Sequence, residues 1–215
     1  MNDISRITVM MVVCIACVVC ATSAWAGVGD LDKDPALAGW WKFDEEKGAV
    51  AADSSRHKRN GVLKGGMSFD KGSVPGKAGK ALKFDGGDQH VEITGYKGIT
   101  GKKPRTVTAW VKTEEPEGYV LHWGEDDFGK TFSFGWIEDE VVGAAGNGGR
   151  MQMVPYCHDD KWHHIAVVLE EADAPNFHRD FKVYLDGASQ ETSYVLHMFD
   201  FDTGNAMDVR IGIGL

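Results

Sequence analysis

Asp160-Lys161-Trp162-His163-His164-Ile165-Ala166-Val167-Val168-Leu169, followed at Phe181-Lys182-Val183-Tyr184-Leu185-Asp186-Gly187 by a second apolar run, decides the fold. Both segments alternate apolar and polar side chains at period two, which sends one set into a core and the other to the opposite face of a sheet. Asp186-Gly187 closes the second run with residues that tolerate positive φ, as a tight hairpin turn requires. Two core strands are expected here.

Working outward, strands are expected at Trp40–Phe43, with its two tryptophans on opposite faces, and at Gly61–Lys64, Met67–Phe69, Ala81–Phe84 and Gln89–Ile93. Further runs follow at Thr106–Thr113, Tyr119–Trp123, Thr131–Glu138, Val141–Ala144, Arg150–Tyr156, Ser193–Phe199 and Val209–Leu215. Glu46 to Arg59 reads as a long connection with one helical turn at Ala49–Ala52. Many short strands, 27 glycines and no long amphipathic helix predict an all-β, two-sheet antiparallel sandwich.

The run DDKWHHIAVV, then KVYLDG, resembles the laminin-G-like, concanavalin A-type jelly roll (lectin/glucanase) family. GWWKFDEEKGAVAADSS at Gly39–Ser55, GKALKFDGGDQHVEI at Gly79–Ile93 and TVTAWVK at Thr106–Lys112 fit the same pattern in the same order. The resemblance implies a jelly roll over residues 38–215. In that family an I-G-x-G-like segment continues into a G-x-(I/V)-D-E-(V/F)-x-(I/V)-Y strand that returns beside the first. The sequence stops at Ile211-Gly212-Ile213-Gly214-Leu215, so the expectation is a truncated product without its C-terminal closing strand, leaving an open edge.

The N-terminus reads as a signal peptide: a polar start with a cation at Arg6, an apolar run from Ile7 to Val19, and the small-x-small end Ala24-Trp25-Ala26. Cleavage after Ala26 is expected, leaving a polar leader at 27–37 before the domain. The competing reading is an uncleaved anchor, because Ile7 to Ala24 lacks charge and approaches spanning length; the small-residue end favours cleavage and no stable membrane insertion afterwards. The expected location is secreted, periplasmic or at the cell surface. Of four cysteines, Cys14, Cys17 and Cys20 leave with the signal, so Cys157 alone remains, a small buried hydrophobe unless it pairs with a partner.

A formal charge of -9, unchanged by signal removal because Asp3 and Arg6 cancel, excludes a nucleic-acid binder, which needs a basic surface. Neutral sugars, cationic partners and calcium remain compatible. Laminarinase-type members of the family carry E-x-D-x-E, whose period places three carboxylates on one strand face. The nearest run, Glu138-Asp139-Glu140, is contiguous and turns Asp139 to the opposite face, so no catalytic residues are assigned. His163 and His164, neighbours on one strand, also face opposite ways and cannot chelate one ion together; no G-x-S-x-G elbow occurs. Gly143–Gly149, GAAGNGG, lacks the Lys-Ser/Thr of a phosphate cradle and reads as a hairpin loop.

Calcium wants six to eight oxygens, and Asp44, Glu45, Asp53, Asp85 and Asp88 sit in glycine-rich loops as candidate ligands, or as turn caps bonding their own backbone. Phe132, Phe134 and Trp136 share one strand face, as a sugar-stacking platform or as sandwich core. The expected function is an exported, non-catalytic recognition module binding carbohydrate or a cell-surface protein, with calcium assisting. The alternatives are an atypical glycoside hydrolase of the same fold, and a structural piece of a surface assembly whose open edge accepts a strand.

Overall fold

A computed structural model describes residues 7–10, 31, 33–136, 142–146, 149–153 and 157–213. Its strands, in chain order, are β1 (Ile7–Met10), β2 (Val50–Ala51), β3 (Gly61–Lys64), β4 (Ser73–Pro75), β5 (Lys80–Phe84), β6 (His90–Ile93), β7 (Arg105–Thr113) and β8 (Gly118–Gly124). They continue with β9 (Thr131–Trp136), β10 (Val142–Gly146), β11 (Gly149–Met153), β12 (His163–Leu169), β13 (Phe181–Leu185), β14 (Ala188–Ser189), β15 (Thr192–His197) and β16 (Met207–Ile211). One helical turn, α1 (Phe69–Gly72), precedes β4.

The strands form two antiparallel sheets, one of seven strands in the order β14-β13-β12-β7-β1-β5-β4 and one of nine in the order β15-β11-β10-β9-β8-β16-β6-β3-β2. The sandwich expected from the period-two runs is the observed fold. β12 and β13 pair from Ile165 opposite Leu185 to Leu169 opposite Phe181, and β12 lies against β7 along its whole length. Asp186 and Gly187 turn the chain with φ of 50° and 83°, the positive pair that a two-residue hairpin needs. The inward residues Val107, Ala109, Val111, Ile165 and Val167 meet Leu121, Trp123, Phe132, Phe134 and Trp136 of the other sheet in one core.

Three local expectations fail for physical reasons. Trp40–Phe43 forms no strand: Trp41 makes an isolated bridge to Asp53, and Phe43 has a φ of 60°, outside the extended region. Both tryptophans are buried. Ala49–Ala52 contains strand β2 instead of a helical turn, because Val50 and Ala51 pair with Val62 and Gly61. Phe69 begins α1 rather than ending a strand, and its ring is buried beside Phe43. The 27–37 leader ends in a buried anchor, Leu37.

β1 lies within the stretch expected to be removed with the signal. It sits between β5 and β7, antiparallel to both, and cleavage after Ala26 would take it out of the sheet. Among the described residues, no helix is long and apolar enough to cross a membrane.

Candidate binding face

The outward face of the nine-stranded sheet carries one continuous cross-strand row. Val62 lies opposite Glu92, Glu92 opposite Arg210, and Arg210 opposite His122. His122 in turn faces Ser133, Ser133 faces Ala145, Ala145 faces Arg150, and Arg150 faces Leu196. Because side chains alternate along each strand, the neighbours of these residues (Val91, Ile93, Val209, Ile211, Leu121, Trp123, Phe132, Phe134) fill the core, and Glu92, Arg210, His122 and Ser133 face away from it. On one side of a buried imidazole and hydroxyl at His122 and Ser133 stand first the base Arg210 and then the acid Glu92.

His122 and Ser133 are buried, and His122 Nδ1 lies 2.8 Å from Ser133 Oγ. Burial first, and the Arg210 cation second, push the His122 pKa down to about 4 against an opposing pull from Asp126, so the ring is neutral at physiological pH. Its Nε2 is buried without a hydrogen-bond partner, as is Arg210 Nε, which stands 3.8 Å from Glu92 Oε2. Lys64 approaches the same carboxylate at 3.5 Å. A buried polar atom left unpaired costs about 1–3 kcal/mol, so two of them on residues that face each other across β16 and β8 mark a place that a hydrogen-bonding group would stabilise.

The family model for laminin-G domains of the concanavalin A-like lectin/glucanases superfamily matches residues 85–213. The chain belongs to this family. No curated protein and no solved structure matches it. Domains of this laminin-G-like, concanavalin A-like superfamily commonly bind carbohydrate or proteins.

Within this laminin-G-like domain the positions singled out from sequence have other roles. Phe132, Phe134 and Trp136 are buried on the inward face of β9, with Phe132 stacked on Trp123 at a centroid distance of 4.3 Å. They present no ring face to a sugar; burial of large aromatic surface is what places them in the core. Trp136 Nε1 donates to Cys157 Sγ at 2.8 Å, and burial pushes that thiol up to about 12.

Four of the five carboxylates considered for calcium are engaged separately. Asp53 is buried and accepts from Trp40 N, Ser55 N, Ser55 Oγ and Arg59 N at 2.8–2.9 Å. Asp44 accepts from Lys80 N at 2.9 Å, Glu45 from Ala52 N at 2.6 Å, and Asp85 from Gly87 N at 3.0 Å. Asp88 contributes its backbone carbonyl to His90 Nδ1 at 2.8 Å. The contacts of Asp44, Glu45, Asp53 and Asp85 are turn and connection caps, and among the described residues no three His, Cys, Asp or Glu side chains come together to hold a metal. Glu138, Asp139 and Glu140 lie outside the described residues.

The histidine pair works as a clamp. His163 reaches Asp186 at 2.7 Å and Asp159 at 3.0 Å, while Asp186 also accepts from His164 N at 2.8 Å. Burial opposes a charged His163, yet the hydrogen bonds to Asp186 and Asp159 outweigh it and raise its pKa. Lys161 first, then His163, hold the Asp159 carboxyl well below the usual carboxylate range. The cluster ties the start of β12 to the β13–β14 turn.

The residues of the row were not legible as a site. Glu92, His122, Ser133, Arg150 and Arg210 are scattered along the sequence in strands whose adjacency only the sheet order reveals. Their one sequence signal is a polar residue at the outward position of an otherwise apolar strand, as in Tyr119-Val120-Leu121-His122-Trp123.

Proposed function

We infer that this chain is an exported, non-catalytic recognition domain that binds carbohydrate or a protein partner at the cell surface through the outward row of its nine-stranded sheet. The observation that carries the reading is the unpaired Nε2 of the buried, neutral His122, whose cross-strand partner Arg210 also leaves its Nε without a hydrogen bond. Whichever ring nitrogen of His122 bears the proton, a hydroxyl can complete the other, since it both donates and accepts. Arg210 adds a donor and Glu92 an acceptor at the partly exposed margin of the row. A sugar ring presents several hydroxyls at such spacing; a protein partner would offer serine, threonine or backbone groups.

A non-catalytic role is supported by the carboxylate count of the row, in which Glu92 is the one acid and is approached by both Lys64 and Arg210. Glycoside hydrolysis needs a pair of carboxyl groups about 5–9.5 Å apart, one of them free to ionise or protonate as the reaction demands. The carboxylates considered for calcium lie off this row, and the reading calls on no ion.

The test is a glycan array with the full chain, repeated with Arg210→Gln and Ser133→Ala. Each change should weaken the best hit by about tenfold, the loss of one hydrogen bond to a charged or buried group. Binding untouched by both changes, or release of reducing ends from the bound glycan, would overturn the reading. Export is tested separately by N-terminal sequencing of the secreted product, which should begin at Gly27.

A further inference from the structure

We propose that the cleft between the leader at 35–38 and the loops at 56–59 and 96–103 binds an acidic peptide segment of a protein partner, whose carboxylates are held by Arg56, Arg59 and Lys103. The site goes beyond the recognition row of the nine-stranded sheet and shares no residue with it. None of its residues lies in the stretch expected to leave with the signal, so it does not rest on export.

The basic run Arg56-His57-Lys58-Arg59 is folded back on one carboxylate. Asp53 accepts from Ser55 N, Ser55 Oγ and Arg59 N, each at 2.8 Å, and its own N–H donates to Asn60 Oδ1 at 3.0 Å. Lys58 takes a φ of 53° at the bend, and the Trp41 indole donates to the Arg59 carbonyl at 2.9 Å. The cations therefore project from a fixed backbone, which lowers the ordering cost of binding. Arg59 Nη1 donates to the Ala38 carbonyl at 2.6 Å, and its guanidinium lies 4.1 Å from the Tyr96 ring centroid. Arg56 Nη2 donates to the Pro35 carbonyl at 3.2 Å. Each guanidinium thus uses part of its fork on the leader and, with five N–H donors, keeps others for a ligand.

The charge at this cleft runs against that of the chain, whose net value is -9. Elsewhere cations stand beside acids: Lys64 with Glu92, Lys97 with Asp208, Lys130 with Asp127, Lys161 with Asp159 and Lys182 with Glu170. Arg56, Lys58, Arg59 and Lys103 make no ion pair among the described residues. Asp53, the acid beneath them, is buried and taken up by the backbone of its own loop. The field of the cations reaches His57, whose pKa is lowered by burial first and then by Arg59 and Arg56, against the pull of Asp53. Like charges gathered around a cavity of about 330 Å³ repel one another, and an anion inside it relieves that repulsion.

The lining also selects the kind of anion-bearing ligand. It holds the donors of Arg56, Arg59 and Lys103 but no Asp, Glu, Asn or Gln. A sugar's hydroxyls both donate and accept, and they find few side-chain acceptors here; an ionised carboxylate only accepts. Pro35, Ala36, Ala38 and Ile99 supply apolar wall between the cations. An acidic residue beside small apolar ones matches both parts of that surface, whereas a pyranose ring fringed with hydroxyls does not. Arginine and lysine hold carboxylates through charge-assisted hydrogen bonds, and clustered arginines are a recurring means of capturing acidic peptide motifs.

The experiment uses the full chain and short fluorescent peptides in which Glu, Gln or Lys alternates with Ala and Val, read by polarisation. The Glu peptide should bind about tenfold more tightly than the Gln peptide, and more weakly as salt is raised. The variant Arg56→Glu/Lys103→Glu should reverse the preference towards the Lys peptide, which loss of a merely structural role would not do; Arg59 stays in place because it ties down the leader. Lys47→Glu/Lys71→Glu makes the same change in net charge at exposed positions outside the cleft, and should leave Glu-peptide affinity within about twofold. The His57 ring resonances should shift when the Glu peptide is added to the wild type. Equal binding of the Glu and Gln peptides, equal losses in the two double variants, or an unmoved His57 would each overturn the proposal. So would a uronic-acid or sulfated oligosaccharide that binds in place of the peptide and is lost with Arg56→Glu/Lys103→Glu, since the occupant would then be an anionic glycan.

Discussion

The protonation of His122 gives the sharpest prediction. Its pKa is about 4 in the folded chain, against 6.5 for an unperturbed histidine. A group whose folded pKa is lowered binds its proton more readily when unfolded, so stability falls as pH drops from about 6.5 towards 4. The full difference is worth at most about 3 kcal/mol, and at pH 5 the loss relative to pH 8 is about 2 kcal/mol. For a domain of this size that lowers Tm by roughly 4–8 °C. His163 acts with the opposite sign: its pKa is raised, so its contribution is present below the unfolded value and disappears as pH rises through the folded one. The wild-type profile mixes both with the carboxylates. The assay is therefore the difference between wild type and His122→Gln, melted by calorimetry between pH 4.5 and 8, alongside an NMR titration of the ring. The variant should lose the His122 part of the acid-side fall. An NMR pKa near 6.5, or identical pH profiles for the two proteins, would refute the burial argument.

Asp53→Ala removes a buried acceptor from four donors at the Trp40–Arg59 connection, and should cost about 2–4 kcal/mol by denaturant melts. Calcium or a chelator should leave the wild-type Tm unchanged, because no shared cage forms among Asp44, Glu45, Asp53, Asp85 and Asp88; a rise with calcium would refute this. Native Cys157, buried and with its thiol held protonated, should resist a thiol reagent until the chain unfolds.

Arg105 shows where sequence reading stops. It stands at the start of the Thr106–Thr113 run and looks like a surface cation, yet it is buried and donates to the carbonyls of Ile99, Gly101 and Lys103 and to Thr203 Oγ1. Nothing in local pattern says that two distant loops meet there. The strands themselves were legible wherever the burial of side chains alternates along the strand, as in β7 and β13, because the alternation is imposed by the core. β8 and β9 hide this signal, being buried on both faces through most of their length. That is also why Phe132, Phe134 and Trp136 were open to two readings: period places them on one face but does not say which face meets the other sheet.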